Sequence, residues 1–425
     1  MLVPLVEMVS AIARALDLVH PAVTDHHRRV TAIAVALAEA TGLPPPRRTD
    51  LAIAASLHDA GAVEERSRLA MLNFEFTEAD GVGRVPSQGA FHRHGEEGYL
   101  LLRDFQPFAR AARLIRHHHT PWAHGAGVEV DGVAVEPDAH VLGLADRASV
   151  LPDPEQHILG QRDRVIARVR GDAGAKFRPD LVEAFADLAA SEAFWLELIH
   201  PSDDPLRRAI ADSPMRTLDV DELLALAEVF ARLIDFRSPF TASHSDEVGR
   251  VAEHLGVALG MDAVKHKPLR IAGLLHDLGK LGIPPAILDK PGRLSEPEMN
   301  IVRAHPYYTH LVLREVGSLD EIRGWAAFHH QRIDGRGYPF RGVPLDLGAR
   351  IVAVADVYAA LAQERPYRPA LSPRELAAIV DAAVADGALD GDVVRALHRE
   401  VLRDDGRPPT VPPPMGAPRV RRTAP

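Results

Sequence analysis

The chain contains no cysteine. That excludes disulfides, thiolate metal sites and iron–sulfur clusters, and it suits a reducing compartment. Aromatic residues are scarce, at 5%, while Ala, Leu, Val and Arg dominate, a composition that favours helix. No run of about 18 uncharged apolar residues occurs, so no membrane span is expected. The opening stretch "MLVPLVEMVSAIARALDLV" is apolar, but Glu7, Arg14 and Asp17 interrupt it. It reads as a first helix rather than a leader, and the cytoplasm is the expected location. Excess basic charge is also missing. Residues 1–212 carry a net −9 and residues 213–425 a net −1, together the −10 of the whole chain. Neither half has the footprint of a duplex-DNA binder. The less acidic second half is the better host for an anionic ligand.

The chain has 425 residues, 46% of them apolar. That is too long for one ordinary core and predicts two domains. His200 to Asp219, "HPSDDPLRRAIADSPMRTLD", is rich in Pro, Ser and Asp and reads as the junction. Asp219 and Glu222 form a capping-box pattern ahead of an amphipathic helix. Gly260 reads as the C-cap of a helix carrying Val248, Val251, Leu255 and Leu259. "GVEVDGVAV", Gly127 to Val135, is the clearest hairpin. The expected division is 1–212, 213–405 and a Pro-rich, disordered tail, 406–425.

Two buried-looking dipeptides then stand out: His58–Asp59 in "SLHDAG" and His276–Asp277 in "LLHDLGK". Burying such groups is costly without partners. Each dipeptide lies 32 residues after another His, His26 and His244. The series continues with His94, His117–His118 and Asp146 in the first half. Its counterpart is His305, His329–His330 and Asp356 in the second. The step from Asp to the next His is 35 residues in one half and 28 in the other. The excess falls on Gly-rich "DGVGRVPSQG", which reads as a loop insertion. Contexts agree: "HGEEGYLLL" matches "HPYYTHLVL", and "VLGLADRASVL" matches "IVAVADVYAAL". A helical domain is duplicated, with five His and two Asp in each copy. Imidazole and carboxylate together suit Mn, Fe, Zn or Ni. Seven side chains exceed what one ion needs, whereas two ions sharing an Asp use them naturally. Such a pair is suited to phosphate esters.

The second half resembles the HD-GYP family of HD-superfamily phosphohydrolases. The likeness rests on His244, "HDLGK" at 276–280, His305, "HHQRIDGRGYP" at 329–339, "ADVYAAL" at 355–361 and "RPYR" at 365–368. It covers roughly residues 220–405. The resemblance implies an all-α fold of two tandem HD-type domains with a small hairpin in the first. It implies hydrolysis of a cyclic dinucleotide, chiefly cyclic di-GMP with cyclic GMP-AMP as the alternative, at a two-metal centre of iron or manganese. Carried over by position, His244, His276, Asp277 and Asp356 hold one ion. His305, His329 and His330 hold the other, with Asp277 bridging. Asp277 and Lys280 are the implied catalytic pair, Lys280 facing the scissile phosphate. Tyr338, Arg365 and Arg368 bind substrate, and Gly335, Gly337 and Pro339 shape the loop. A homodimer or a signalling partner protein is compatible with this reading.

The family usually has Glu where this chain has Gln331 and Asp where it has Ala359; neither change removes a ligand. Phe240 stands where some members place a third-metal ligand, so two metals are expected. The first half resembles the broader HD superfamily. It keeps His26, His58, Asp59, His94, His117, His118 and Asp146 as ligands, again for two divalent metals. It has Ala62 in place of Lys280, no GYP loop, and Glu155 and Ile158 in place of the arginines. A phosphomonoesterase acting on the linear product fits these residues, as does a structural partner. For the whole chain the competing readings are a cyclic di-GMP receptor without turnover and a general nucleotide phosphomonoesterase.

Overall fold

In the first half the helices are α1 (Leu5–Asp17), α2 (His26–Ala40), α3 (Pro45–Leu57), α4 (Gln88–Leu102) and α5 (Ala109–His117). They are followed by α6 (Pro137–Val150), α7 (Arg162–Gly171), α8 (Pro179–Ala189), α9 (Glu192–Ile199) and α10 (Pro205–Ile210). The second half continues with α11 (Val220–Phe236), α12 (His244–Ala258), α13 (His266–Leu275), α14 (Pro285–Leu288) and α15 (Glu296–Val302). It ends with α16 (His305–Leu313), α17 (Asp320–Ala327), α18 (Leu347–Ala362), α19 (Pro373–Ala385) and α20 (Gly391–Glu400). This computed structural model describes residues 1–18, 25–62, 88–236, 243–290, 292–363 and 370–402, with 88–92 and 236 as backbone alone. Most of the expected loop insertion, the expected disordered tail, Phe240, Arg365 and Arg368 lie outside the described residues. No helix among the described residues is long and apolar enough to cross a membrane.

The architecture is all-α. Strands among the described residues are two residues long: β1 (Val3–Pro4), β2 (Glu129–Val130), β3 (Val133–Ala134) and β4 (Thr217–Leu218). β2 and β3 form the expected hairpin. Asp131 and Gly132 both take positive φ, 51° and 78°, as a two-residue turn that follows strand twist requires. β1 pairs antiparallel with β4, Val3 opposite Leu218, so the start of the chain is tied to the junction between the halves.

Local sequence explains where helices stop. After α12, Gly260 takes φ +71°, its N–H donates to the Val257 carbonyl, and Met261 N–H donates to that of Gly256. This is a Schellman cap. α2 ends in the same way at Gly42, 16 residues after His26 as Gly260 is after His244. Asp219 and Glu222 form the expected capping box, with Glu222 N–H donating to Asp219 at 2.9 Å and Asp219 N–H to Glu222 at 3.3 Å.

The apolar faces merge into one continuous core. α1 belongs to the first half in sequence, yet it also packs on α16 and on the short 3-10 turn Leu278–Gly282. Arg14 pairs with Glu315, and Gly317 N–H donates to Glu7 at 3.3 Å. A Cβ on Gly282 would lie 3.0 Å from that of Leu18, so glycine permits this approach.

Candidate metal centres and the lysine beside one of them

Each His-Asp dipeptide closes a helix. α13 ends at Leu275 and α3 at Leu57, so His276 and His58 are C-cap residues. The last carbonyls of a helix lack intrahelical donors. His276 Nδ1 donates to Gly273 O at 2.7 Å, and His58 Nδ1 to Ala55 O at 2.9 Å. His329 does the same with Ala326 O at 2.6 Å, and His305 with Val302 O at 2.7 Å. Nδ1 thereby carries a proton in each, and Nε2 is aimed inward. Gly279 and Gly61 let the dipeptide turn press on the next helix. A Cβ there would sit 1.9 Å from His305 O and 2.1 Å from His94 O.

In the second half these Nε2 atoms converge. His244 Nε2 lies 3.2 Å from Asp356 Oδ1, and His276 Nε2 3.7 Å from the same oxygen. Asp277 faces two ways: Oδ2 lies 3.3 Å from His276, and Oδ1 lies 3.3 Å from His305. His305 and His329 bring their Nε2 atoms within 3.2 Å. Potential donor atoms lie within 4.8 Å of one another in three groups: His244–His276–Asp356, His276–Asp277–His329 and His305–His329–His330. Lys280 Nζ reaches Asp277 Oδ2 at 2.5 Å.

The donor set fits a pair of cations. His305 and His329 have both given their proton-bearing nitrogen to a carbonyl, so two lone pairs face each other at 3.2 Å. That contact is repulsive without a positive charge between them. His276 Nε2 is buried, with Asp277 Oδ2 at 3.3 Å and Asp356 Oδ1 at 3.7 Å but neither aligned for a hydrogen bond. Burial pulls His305, His329 and His330 down to about 3, which keeps them neutral, as ligands must be. Burial also works against charge on His276, but Asp277 and Asp356 overcome it and hold its pKa at about 10. Both carboxylates are themselves buried yet stay well below the usual carboxylate range beside these imidazoles.

The GYP loop folds over His330. Tyr338 N–H donates to His330 O at 3.3 Å, and the two rings lie 4.9 Å apart at 32°. Burial pushes the Tyr338 phenol up to about 12. A Cβ on Gly337 would lie 2.5 Å from Gln331 Cα, and Gly335 takes φ +76°. Both positions therefore favour glycine. Gln331 is buried, and its Nε2 has no hydrogen-bond partner.

The first half repeats the arrangement with one correction. His26 and His58 lie 3.4 and 3.5 Å from Asp146 Oδ1, and His94 lies 3.6 Å from Asp59 Oδ1. The pair that joins His94 is His118–His119, not the expected His117–His118. His94 Nε2 lies 3.3 Å from that of His118 and 3.1 Å from that of His119. His118 caps α5 and donates to Ile115 O at 2.7 Å, as His329 donates to Ala326 O. His117 belongs to the last turn of α5 and to neither donor group, His26–His58–Asp146 or His94–His118–His119. The signal was present in the spacing. His94 to His118 is 24 residues, as is His305 to His329; the run of three His obscured it. Burial pulls His118 down to about 3 and His119 well below its ordinary value.

Sequence reasoning missed the supports behind these side chains. Ser149 Oγ accepts from His26 Nδ1 at 3.2 Å. It stands three residues after Asp146, where the second half has Ala359 three after Asp356. Among the described residues, His244 Nδ1 is buried without a hydrogen-bond partner. Asp17 accepts from His27 Nδ1 at 2.6 Å, and Asp235 from the Ser245 hydroxyl at 2.8 Å, in matching places. Thr309 ties the second half further, donating to His276 O and accepting from Gly279 N–H, each at 2.9 Å; Gly98 holds the equivalent position in the first half.

Comparison with known proteins adds the following. Two HD domain families match the chain, one over residues 23–151 and one over 228–393. A 3′3′-cGAMP-specific phosphodiesterase 1 of Vibrio cholerae is 32% identical over 402 residues, covering 91% of this chain and 90% of the relative. A 3′3′-cGAMP-specific phosphodiesterase 3 of the same organism is 34% identical over 240 residues, 55% of this chain and 51% of the relative. A cyclic di-GMP phosphodiesterase response regulator of Xanthomonas campestris is 39% identical over 149 residues, 33% of this chain and 38% of the relative. Among solved structures, a cyclic GMP-AMP specific phosphodiesterase of V. cholerae superposes with a TM-score of 0.63. It covers 94% of this chain and 98% of its own at 24% identity, a likeness of fold.

Proposed function

The chain belongs to the HD-GYP family of cyclic dinucleotide phosphodiesterases, with two HD domains, and from that premise we propose that its second half opens the ring of 3′3′-cyclic GMP-AMP. It is a metal-dependent phosphohydrolase of cyclic dinucleotides. The choice between the two ring nucleotides rests on one observation. The likeness to a 3′3′-cGAMP-specific relative runs through both halves, whereas cyclic di-GMP phosphodiesterases match about half of the chain or less. Initial rates on both substrates test the choice; faster cyclic di-GMP turnover at equal concentration reverses it.

His244, His276, Asp277 and Asp356 would hold one divalent ion. His305, His329 and His330 would hold the other, and Asp277 would serve both through its two oxygens. Iron or manganese suits this set, with nickel and zinc as the alternatives. Bound there, the pair would supply hydroxide at neutral pH and neutralise phosphoryl oxygens. Lys280, anchored on Asp277, places an ammonium where a phosphoryl oxygen gathers charge. Tyr338 backs His330 and walls the substrate. Arg365 and Arg368 are assigned to substrate, a role suited to a forked donor. Water adds across one P–O3′ bond, its oxygen to phosphorus and a proton to the departing O3′. The product is a linear dinucleotide with a 5′-phosphate.

For the first half we assign removal of that 5′-phosphate. A full set of ligand counterparts without a counterpart of Lys280 or the tyrosine loop supports this, because a terminal phosphomonoester needs less of a clamp. The variant His58→Ala with Asp59→Ala should leave ring opening intact and accumulate the 5′-phosphorylated product. Identical product mixtures from variant and wild type would make the first half a structural partner.

A further inference from the structure

A cyclic dinucleotide carries two phosphodiesters, and one turnover cleaves one of them. The other stays a full negative charge outside the metal centre and needs its own cation. Candidate cations beside the GYP loop are mostly committed. Arg332 lies 2.6 Å from Asp334 and 2.8 Å from Asp386, and Arg336 lies 2.7 Å from Asp334. Lys280 is held by Asp277.

Arg303 is different. It follows α15 directly, two residues before His305, and it is exposed. Its guanidinium carbon lies 5.3 Å from the centroid of the Tyr338 ring. Tyr338 in turn lies against His330. Among the described residues Arg303 makes no hydrogen bond or ion pair. A guanidinium resting on an aromatic face keeps its edge N–H groups free for an anion. Its neighbour Val302 supplies the carbonyl that fixes His305, so the backbone under Arg303 is held to the metal cluster.

We propose that Arg303 binds the phosphodiester that is not being cleaved, and so selects a substrate with two phosphates over one with a single phosphate. This rests on the cyclic dinucleotide reading above. Tyr338 orients the guanidinium, and the uncleaved phosphate takes its free edge. No metal ligand is involved, so metal content and attack on a lone phosphodiester do not depend on it.

The test compares Arg303→Ala and Arg303→Lys with wild type on 3′3′-cyclic GMP-AMP and on bis(p-nitrophenyl) phosphate, which has one phosphate. Metal content is measured alongside. Arg303→Ala should raise KM for the cyclic dinucleotide about ten- to a hundredfold, the scale of a lost charge-assisted hydrogen bond. Turnover of the small diester and bound metal should stay within about twofold, and Arg303→Lys should recover part of the KM. An unchanged KM overturns the proposal. So does an equal loss on both substrates accompanied by loss of metal, since Arg303 would then act through Tyr338 on His330. Equilibrium binding of the cyclic dinucleotide is measured as well. If wild type binds it without turnover, the assignment of Arg303 is still decided by the ratio of dissociation constants, and only the enzymatic reading fails. Wild type that neither binds nor cleaves it overturns both.

Discussion

The two halves use nearly the same side chains and differ in what surrounds them. The second half has Lys280 on the shared Asp, Tyr338 over His330 and Thr309 bracing the His276 turn. The first half has Ala62, no tyrosine loop and Gly98. Support runs the other way for the first His of each series. His26 has Ser149 behind its Nδ1, and His244 has no acceptor among the described residues. The second half thus has groups proposed to meet substrate, while the ring of one proposed ligand, His244, has less behind it. The first half keeps its ligands in order and offers substrate little else. In both halves most of the candidate ligand histidines sit at helix ends, while Asp146 and Asp356 project from within α6 and α18, so the fold itself sets both clusters. The groups proposed to meet substrate lie on the connections between helices, which vary more freely.

The most severe way to break the comparison is to remove the shared carboxylate from one half at a time. Asp277→Ala should cost at least roughly a thousandfold in ring opening and release metal from the second half. Asp59→Ala should leave ring opening within about twofold. Comparable losses from both variants would mean that the halves form one functional site rather than two.

Acid should affect both halves alike. His305, His329 and His330 fall to about 3 when folded, His118 likewise, and burial holds His119 well below its ordinary value. In the unfolded chain these groups take protons near their ordinary pKa of about 6.5. Their neutral burial is therefore cost-free above about pH 6.5 and destabilises increasingly as pH falls toward 3. Asp277, Asp356 and Asp146 act in the same direction, losing their contribution once pH drops below about 4. His276 and His58, raised to about 10 and about 9, do the opposite. Their stabilisation is complete below about pH 6.5 and is lost as pH rises through those values. Chelator-stripped protein should therefore melt highest near neutrality, with Tm falling toward both pH 4.5 and pH 9.5. A Tm that holds or rises from pH 7 to 4.5 would contradict the buried neutral histidines.

Much of this was legible in the chain. His58–Asp59 and His276–Asp277 follow their first His by equal spacing, so the duplication and the all-helical class could be read without coordinates. The hairpin at Asp131–Gly132 and the caps at Gly260 and Asp219 followed from local chemistry alone. What failed was the register of "HHH" at 117–119. Three identical residues carry no internal mark of which two face inward. That is set by where α5 stops and by the Ile115 carbonyl that His118 caps. The part played by Ser149 was out of reach for another reason. Which nitrogen of a distant His a hydroxyl meets is a matter of tertiary packing, which spacing does not encode. Asp17 with His27, and Asp235 with Ser245, were missed in the same way.

The register correction is itself open to test. His119→Ala should weaken metal binding in the first half by about a hundredfold, the order expected for a lost interaction at the ion. His117→Ala should leave affinity within about twofold. Metal titration of both variants in an Asp277→Ala background isolates the first half. A larger loss from His117→Ala would restore the His117–His118 pairing.

The smallest expected effect sharpens the comparison most. If Ser149 matters because it accepts from His26 Nδ1, a hydroxyl at the matching place should do the same for His244. Ala359 is fully buried on α18, three residues past Asp356. Ser149 spends its own proton on the Asp146 carbonyl at 2.7 Å, which leaves its oxygen free to accept. A serine at 359 can repeat that geometry on the Asp356 carbonyl, one helical turn back. It adds a single oxygen to a packed core, a small steric cost. Fixing the protonated nitrogen of a ligand His raises the basicity of the other, and such partners change metal affinity by about ten- to a hundredfold. Ala359→Ser should gain at the low end of that range, about tenfold in second-half affinity, because His244 is one ligand of several. Ser149→Ala should lose a similar factor in the first half. Competition with a chelator, followed at each half separately in Asp59→Ala and Asp277→Ala backgrounds, reads both. If Ser149→Ala costs the first half nothing, the unpartnered Nδ1 of His244 has no bearing on metal, and the difference between the halves lies wholly in what meets the substrate.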